Sequence, residues 1–253
     1  MTPEWYEAQP KEEATACNLC GGHRFSEHAR EDRYGLPVRS VRCDACGLLF
    51  LNPRMTREAY HRFYADGVYR ELLTQFKGVP HDPDTLERGQ RIYAGKVVKL
   101  LVPFLKARKA RTLVDVGGST GAVAESVAKA LDLEATVIEP SKEEGSRAAD
   151  KGLRLVRSTL ENLEPREAYD VVLLCQTVDH LHDIAGGLRT LRALLADDGV
   201  MFLDYAMSEI KVDHVYYLDP ETMRDYARRG GFAVLMAQAD SDGVHVNWIV
   251  RRA

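Results

Sequence analysis

The sequence predicts an α/β fold: a mostly parallel seven-stranded sheet with helices on both faces, ending in an antiparallel hairpin and preceded by a small cysteine-bearing module. Three observations predict it. From residue 112 onward, short β-branched runs alternate with helical periods, the rhythm of parallel strands joined by crossover helices. Residues 232–238 and 244–250 lie close together across Ala-Asp-Ser-Asp-Gly, a hairpin-like turn. Four of the five cysteines form two tight pairs before residue 50.

Taken in order, residues 1–16 are acidic and expected to fray. Residues 17–50 carry the cysteine pairs on short strand-like stretches. Aromatics and leucines at three- and four-residue spacings predict a helix over 56–76, then a proline-marked loop over 78–84 and a second helix over 85–107. Ile92, Val97, Val98, Leu100, Leu101 and Leu105 would form its apolar face, with a bend near Pro103. Strands follow at 112–116, 135–138, 153–156, 170–175 and 200–205, with helices at 123–131, 142–151 and 184–195. The chain thus divides into a cysteine module (1–52), a helical linker or cap (53–109) and the sheet domain (110–253).

A net charge of −4, with basic and acidic residues balanced over the first 77 positions, gives no electrostatic reason to expect nucleic acid as a partner. No apolar run reaches the roughly 18 residues of a membrane span, and the start lacks the features of a secretory signal. A cytoplasmic protein is the expectation.

Cys17-x-x-Cys20-Gly21 and Cys43-x-x-Cys46-Gly47 are matching knuckles with 22 residues between them. Each glycine permits the turn that brings two thiolates to one metal. Four thiolates close a tetrahedral shell around Zn2+ and leave no open position for chemistry. Cys17, Cys20, Cys43 and Cys46 are therefore structural zinc ligands in a ribbon-like module, with His23 and His28 surplus. The lone Cys175 reads as core packing.

Val114-Asp115-Val116-Gly117-Gly118-Ser119-Thr120-Gly121 ends the first strand of the sheet and opens a helix. Glycines there let the backbone pass close to a ligand, and the helix start offers amide donors. The second strand ends in Glu139, 24 residues after Asp115, where a carboxylate can accept both hydroxyls of a ribose.

These residues resemble the class I S-adenosylmethionine-dependent methyltransferases, matching at Asp115, Gly117 and Gly121, with Ser119 where the family has a glycine. The antiparallel hairpin also fits that family better than the dehydrogenases, which share the glycine loop. The resemblance covers about residues 90–253 and implies a Rossmann-like methyltransferase fold with S-adenosylmethionine as cofactor. It implies that Asp115, Gly117, Gly118, Ser119 and Gly121 surround the amino-acid end of the cofactor and that Glu139 holds the ribose. It further implies that Thr159 and Leu160 flank the adenine and that Gln176, at the end of the fourth strand, is another contact.

The cysteine module, the following Leu48-Leu-Phe-Leu-Asn-Pro-Arg54 and a tyrosine-rich helix are similar to the N-terminal region of sugar C-methyltransferases. They are similar, too, to shorter bacterial methyltransferases tied to surface polysaccharides or secondary metabolites. This implies that Tyr64 and Tyr69 cap the cofactor pocket. It also implies a small-molecule acceptor, a nucleotide-linked or lipid-linked sugar methylated on oxygen or carbon.

Methyl transfer needs an aligned nucleophile, usually helped by a base. His180 and His182 follow the fourth strand, and His214 lies in Lys211-Val-Asp-His-Val-Tyr-Tyr-Leu218 after the fifth. Both places lie at the carboxyl ends of strands, where open sheets bind ligands. The second segment resembles the Tyr-His-Glu-His-x-x-Tyr-Phe stretch of sugar C-methyltransferases, departing from it at Lys211 and Val212. That resemblance implies His214 as base, Asp213 at the glutamate position and Tyr217 at the tyrosine; His180, by its position after the fourth strand, is the rival base. Two alternatives stay open at this point, a zinc-ribbon RNA methyltransferase and a non-catalytic binding module on the same fold.

Overall fold

The structure is a computed structural model that describes residues 2–80, 83–106, 109–207 and 210–253. Short elements come first. Helix α1 (Pro3–Glu7) precedes β1 (Lys11–Glu12), which pairs with β5 (Arg54–Met55). Between them β2 (Phe25–Ala29), β3 (Ser40–Cys43) and β4 (Leu49–Leu51) form an antiparallel sheet. Its fourth strand comes from far along the chain: β11 (Tyr216–Tyr217) pairs with β4, Tyr216 opposite Phe50. The cysteine module is therefore completed by the segment that carries His214.

The helix expected over 56–76 is two helices. Thr56 caps α2 (Arg57–Ala65), its hydroxyl accepting the Ala59 N–H. Gly67 then takes a φ of +79°, a left-handed conformation that suits glycine, and α3 (Val68–Lys77) begins. Helix α4 (Pro83–Leu105) starts inside the expected loop and runs through Pro103 to end two residues later. Its expected end at residue 107 and part of the loop before it lie outside the described residues. Ala94, Val97, Leu101 and Leu105 supply its buried stripe, whereas Ile92 is 81% exposed. Ile92 precedes Ala94 by two residues, about 200° around the helix, so it points away from the stripe.

The main sheet then follows the alternating pattern. In order come β6 (Thr112–Val116), α5 (Ala122–Leu131), β7 (Glu134–Ile138), α6 (Lys142–Asp150), β8 (Arg154–Val156) and β9 (Tyr169–Cys175). After these come α7 (Ile184–Leu194), β10 (Leu195–Ala206), α8 (Pro220–Arg229), β12 (Phe232–Ala239) and β13 (His245–Arg252). The seven strands lie in the order β12-β13-β10-β9-β6-β7-β8. The five from β10 to β8 are parallel, and β13 and β12 add antiparallel.

Alternate residues of the central strands serve opposite faces. Val172 and Leu174 join the core that continues into α7, α8 and the cysteine module, whereas Val171 and Leu173 join the core under α4 and α5. All four are fully buried, as expected for a strand covered on both sides. The chain leaves β6 toward β7 and β8, then returns to β9 on β6's other side. That reversal opens a crevice at the carboxyl ends of β6 and β9.

Candidate active site

A cavity of about 550 Å3 opens at this crevice. The loop after β6 forms one end of it. Gly117 (φ +70°) donates its N–H to the Ile138 carbonyl at 2.8 Å, and Gly121 (φ +75°) starts α5. Gly118 is required for space: a Cβ there would lie 2.9 Å from Val137 Cγ1 and 3.0 Å from Asp115 Cγ. Ser119 sits at φ +52°, in the left-handed region, which is the physical reason a glycine is usual at its place.

Asp115 lies at the base of this loop, 1% exposed, and neither carboxylate oxygen has a hydrogen-bond partner among the described residues. Burial, with the Glu139 charge nearby, pushes its pKa up to about 8. Glu139 accepts the Ser119 N–H at 2.9 Å and the Ser141 N–H at 2.8 Å. Burial raises its pKa to about 7, Glu144 adding to the rise and the two amides opposing it. Thr159 and Leu160, after β8, line the same cavity, as do Cys175 at the end of β9 and Gln176 after it. Gln176 has φ +48°, and its N–H donates to Asp204 Oδ1 at 2.9 Å. Cys175 both packs on the core and borders the cavity.

The other walls come from α2, α3 and the turn after β9. Tyr64, Tyr69 and His180 line the cavity in mutual contact, their ring centroids 5.4–5.8 Å apart. Tyr64 Oη is 2.9 Å from His180 Nδ1 and donates to the Asp213 carbonyl at 3.3 Å. His214 does not line the cavity. It lies behind His180, ring centroids 4.7 Å apart, with Nδ1 3.2 Å from Asp179 Oδ2. The expectation that His214 faces the mouth is corrected: β11 joins the cysteine module and draws the segment one layer inward. Burial lowers the pKa of His180 to about 4 and holds that of His214 well below the ordinary imidazole value, which favours neutral imidazoles.

Asp213 is wholly buried, and its Oδ2 binds Lys211 Nζ at 2.7 Å, lying 3.7 Å from His214 Nε2. Its firm partner is thus the lysine. Tyr217 belongs to β11 and stays outside the cavity. His182 lines the cavity but is held by structure, its Nε2 3.0 Å from Glu12 Oε1 and its carbonyl accepting Arg54 at 2.6 Å.

Sequence reading missed several cavity residues. Arg70 on α3 makes two bonds to Glu144, at 2.7 and 3.0 Å, and Glu144 also accepts the Ser119 hydroxyl. This strap ties α3 to the glycine loop. Burial works against the Glu144 carboxylate, but the Arg70 guanidinium holds its pKa below the ordinary range. Ser141-x-x-Glu144 is a capping-box spacing and could have placed Glu144 at the start of α6 beside the loop. Nothing local marks Arg70. Tyr93 on α4, donating to Asp204 at 2.6 Å, was also missed, as was Asp179, which lies outside the cavity lining against His214.

Away from the cavity the four cysteine sulfurs cluster within 4.8 Å, with Cys17–Cys46 and Cys20–Cys43 each 3.6 Å apart. Four thiolates around a metal with bonds of about 2.3 Å sit about 3.8 Å apart, so this cluster could hold one ion. Gly21 and Gly47, both in the left-handed region, donate back to the Cys17 and Cys43 carbonyls and close the two knuckles.

Residues 86–246 match the family of methyltransferase domains, and the chain belongs to that family. No curated protein matches it. Its fold is similar to that of magnesium protoporphyrin IX methyltransferase from Synechocystis, solved with bound S-adenosylmethionine. Identity there is 15%, coverage 78% of this chain and 96% of that one, and the TM-score 0.57. The mitomycin 7-O-methyltransferase MmcR is similar at 17% identity, over 78% of this chain and 60% of its own, with a TM-score of 0.57. An S-adenosylmethionine-dependent methyltransferase from Clostridium acetobutylicum aligns at 13% identity over 63% and 90%, with a TM-score of 0.53. The sheet is thus the Rossmann-like methyltransferase fold. The chain is therefore an enzyme of the methyltransferase family.

Proposed function

We propose that this enzyme methylates an oxygen or carbon of a small molecule, a sugar or sugar-bearing metabolite. One observation carries the reading: a single cavity has the glycine loop at one part of its wall and His180 at another. S-adenosylmethionine, when bound, supplies the methyl group. Asp115 offers buried carboxylate oxygens to the cofactor's amino-acid end, and the amides of Gly118 and Ser119 lie in the same loop. Glu139 would receive the ribose hydroxyls, Thr159 and Leu160 would flank the adenine, and Gln176 and Tyr69 would be further cofactor contacts, all of them lining the cavity. The tyrosines of α2 and α3 exclude water from the reacting centre. The acceptor's nucleophile lies against the histidine wall, where neutral His180, backed by His214, can take up its proton.

Zn2+ in the four-cysteine cluster holds the module, and through β11 the His214 segment, in place. The net charge of −4 disfavours an RNA acceptor. The test is incubation with S-adenosylmethionine and a panel of nucleotide-linked and lipid-linked sugars, read by mass spectrometry. A gain of one methyl group on a sugar is the expected result. Methylation confined to RNA, or to no sugar in the panel, would sink the proposed acceptor class.

A further inference from the structure

We infer that Asp179, His180 and His214 form a binding site for one first-row divalent cation of the Mn2+, Fe2+, Co2+ and Zn2+ class. This site is separate from the cysteine cluster. A ligand atom from each of the three residues lies within 4.8 Å of the other two. His214 Nδ1 and Asp179 Oδ2 are 3.2 Å apart. That is the separation of neighbouring ligands around a cation with bonds of about 2.0–2.2 Å. Two imidazoles and one carboxylate on one side of a cation leave its remaining positions open.

The surroundings of His180 match those of a metal-bound histidine. A ligating imidazole is held through its other ring nitrogen by an outer partner. His180 meets this, with Tyr64 Oη 2.9 Å from Nδ1, whereas His214 Nε2 faces Asp213 Oδ2 across 3.7 Å, beyond hydrogen-bond length. The Asp213 carbonyl can only accept, so it takes the single Tyr64 proton. The Tyr64 oxygen then accepts Nδ1–H of His180, and Nε2 is left as that residue's ligand atom. Asp179 supplies an independent observation: its side chain is 3% exposed, and Oδ1 has no hydrogen-bond partner among the described residues. A carboxylate oxygen this deeply buried is stabilised by a cation. Lys211, the ammonium closest in sequence, is neutralised by Asp213 at 2.7 Å.

His180 also lines the cavity, so the open positions lie beside the acceptor's space. An acceptor with two adjacent oxygens, a vicinal diol or an α-hydroxy ketone, could fill them, and sugars carry both. The inference rests on the proposed reading of the cavity but changes the role of His180 from base to ligand. With a cation bound, the histidines are ligands and the acceptor's oxygen is polarised by charge rather than by a bare imidazole.

The test uses the full-length protein as purified, with its tightly held metal measured first. MnCl2 is titrated in and the free Mn2+ signal followed by electron paramagnetic resonance, with CoCl2 titrated by calorimetry in parallel. Wild type should bind Mn2+ at a single saturable site. Asp179→Asn and His214→Gln should each weaken that binding by about tenfold or more. Both variants should keep the S-adenosylhomocysteine affinity of wild type, which shows that they are folded. Unaltered Mn2+ affinity in both variants, or no binding of either cation by wild type, would overturn the site. Loss of S-adenosylhomocysteine binding by wild type would be a different failure, one of the cofactor reading itself.

Discussion

The glycine-loop part of the cavity and its histidine part are built in contrasting ways. The first draws Asp115, Gly117, Ser119, Glu139, Glu144 and Thr159 from the 45 residues between 115 and 159. The second joins α2 and α3 to the turn after β9 and to residues near β11. Its bonds span 116 residues between Tyr64 and His180, 152 between Tyr60 and Val212, and 162 between Arg54 and Tyr216. One is set by strand-loop-helix geometry, the other by the docking of the cysteine module. Cofactor affinity and acceptor turnover should therefore respond to different substitutions.

The largest expected effect lies on the second side. A structural zinc site contributes on the order of 10 kcal/mol to folding of its module. Cys43→Ser should accordingly release the metal and loosen β4 and β11, which pair directly. Turnover should collapse while S-adenosylhomocysteine still binds, as calorimetry can check. Cofactor affinity lost in parallel with turnover would mean that the two parts are not separable.

On the first side, Asp115→Asn should weaken cofactor binding by about tenfold to hundredfold, the worth of one or two charged hydrogen bonds. The same change should raise the melting temperature of the unliganded protein, because it removes a buried carboxylate that has no partner among the described residues. A lowered melting temperature would assign Asp115 a structural role instead.

Arg70→Met should produce a smaller effect on both parts at once. It cuts the strap from α3 to Glu144, and the arginine side chain is 26% exposed. A partly exposed pair contributes roughly 1 kcal/mol, so a few-fold rise in the cofactor's Kd is expected. An unchanged Kd would show that α3 closes without it.

The pH dependence should be the gentlest signal. Asp115 and Glu139 are held up at about 8 and about 7, against unfolded values of about 4. Between those limits the folded protein binds more protons than the unfolded chain, so stability falls as pH rises. That contribution is complete below about pH 4 and lost as pH passes 7 to 8. Melting of the unliganded protein followed from pH 6 to 8.5 should show the decline, and Asp115→Asn should flatten it. A rise over that range would contradict protonated carboxyls at the loop.

Legibility followed the same division. The alternating strands and the final hairpin were readable because buried strands and helices repeat at periods of 2 and 3.6, and the sheet adopts that order. The reading of Ile92 as buried failed on phase, since the true stripe runs through Ala94 and Leu101. The break at Gly67 was hidden inside an unbroken apolar period. Glu144 carried a local signal as a helix cap, whereas Arg70 carried none.

By itself the sequence determined the parts whose atoms are neighbours in the chain. These are the loop from Asp115 to Gly121, Glu139 one strand later, and two cysteine knuckles whose glycines must turn. Only the tertiary structure decided that His180 lines the cavity while His214 stands behind it against Asp179. It alone decided that β11 completes the cysteine module's sheet. A local motif carries its geometry in backbone dihedrals of a few residues. A site assembled across more than a hundred residues is fixed only when the cores beneath it pack.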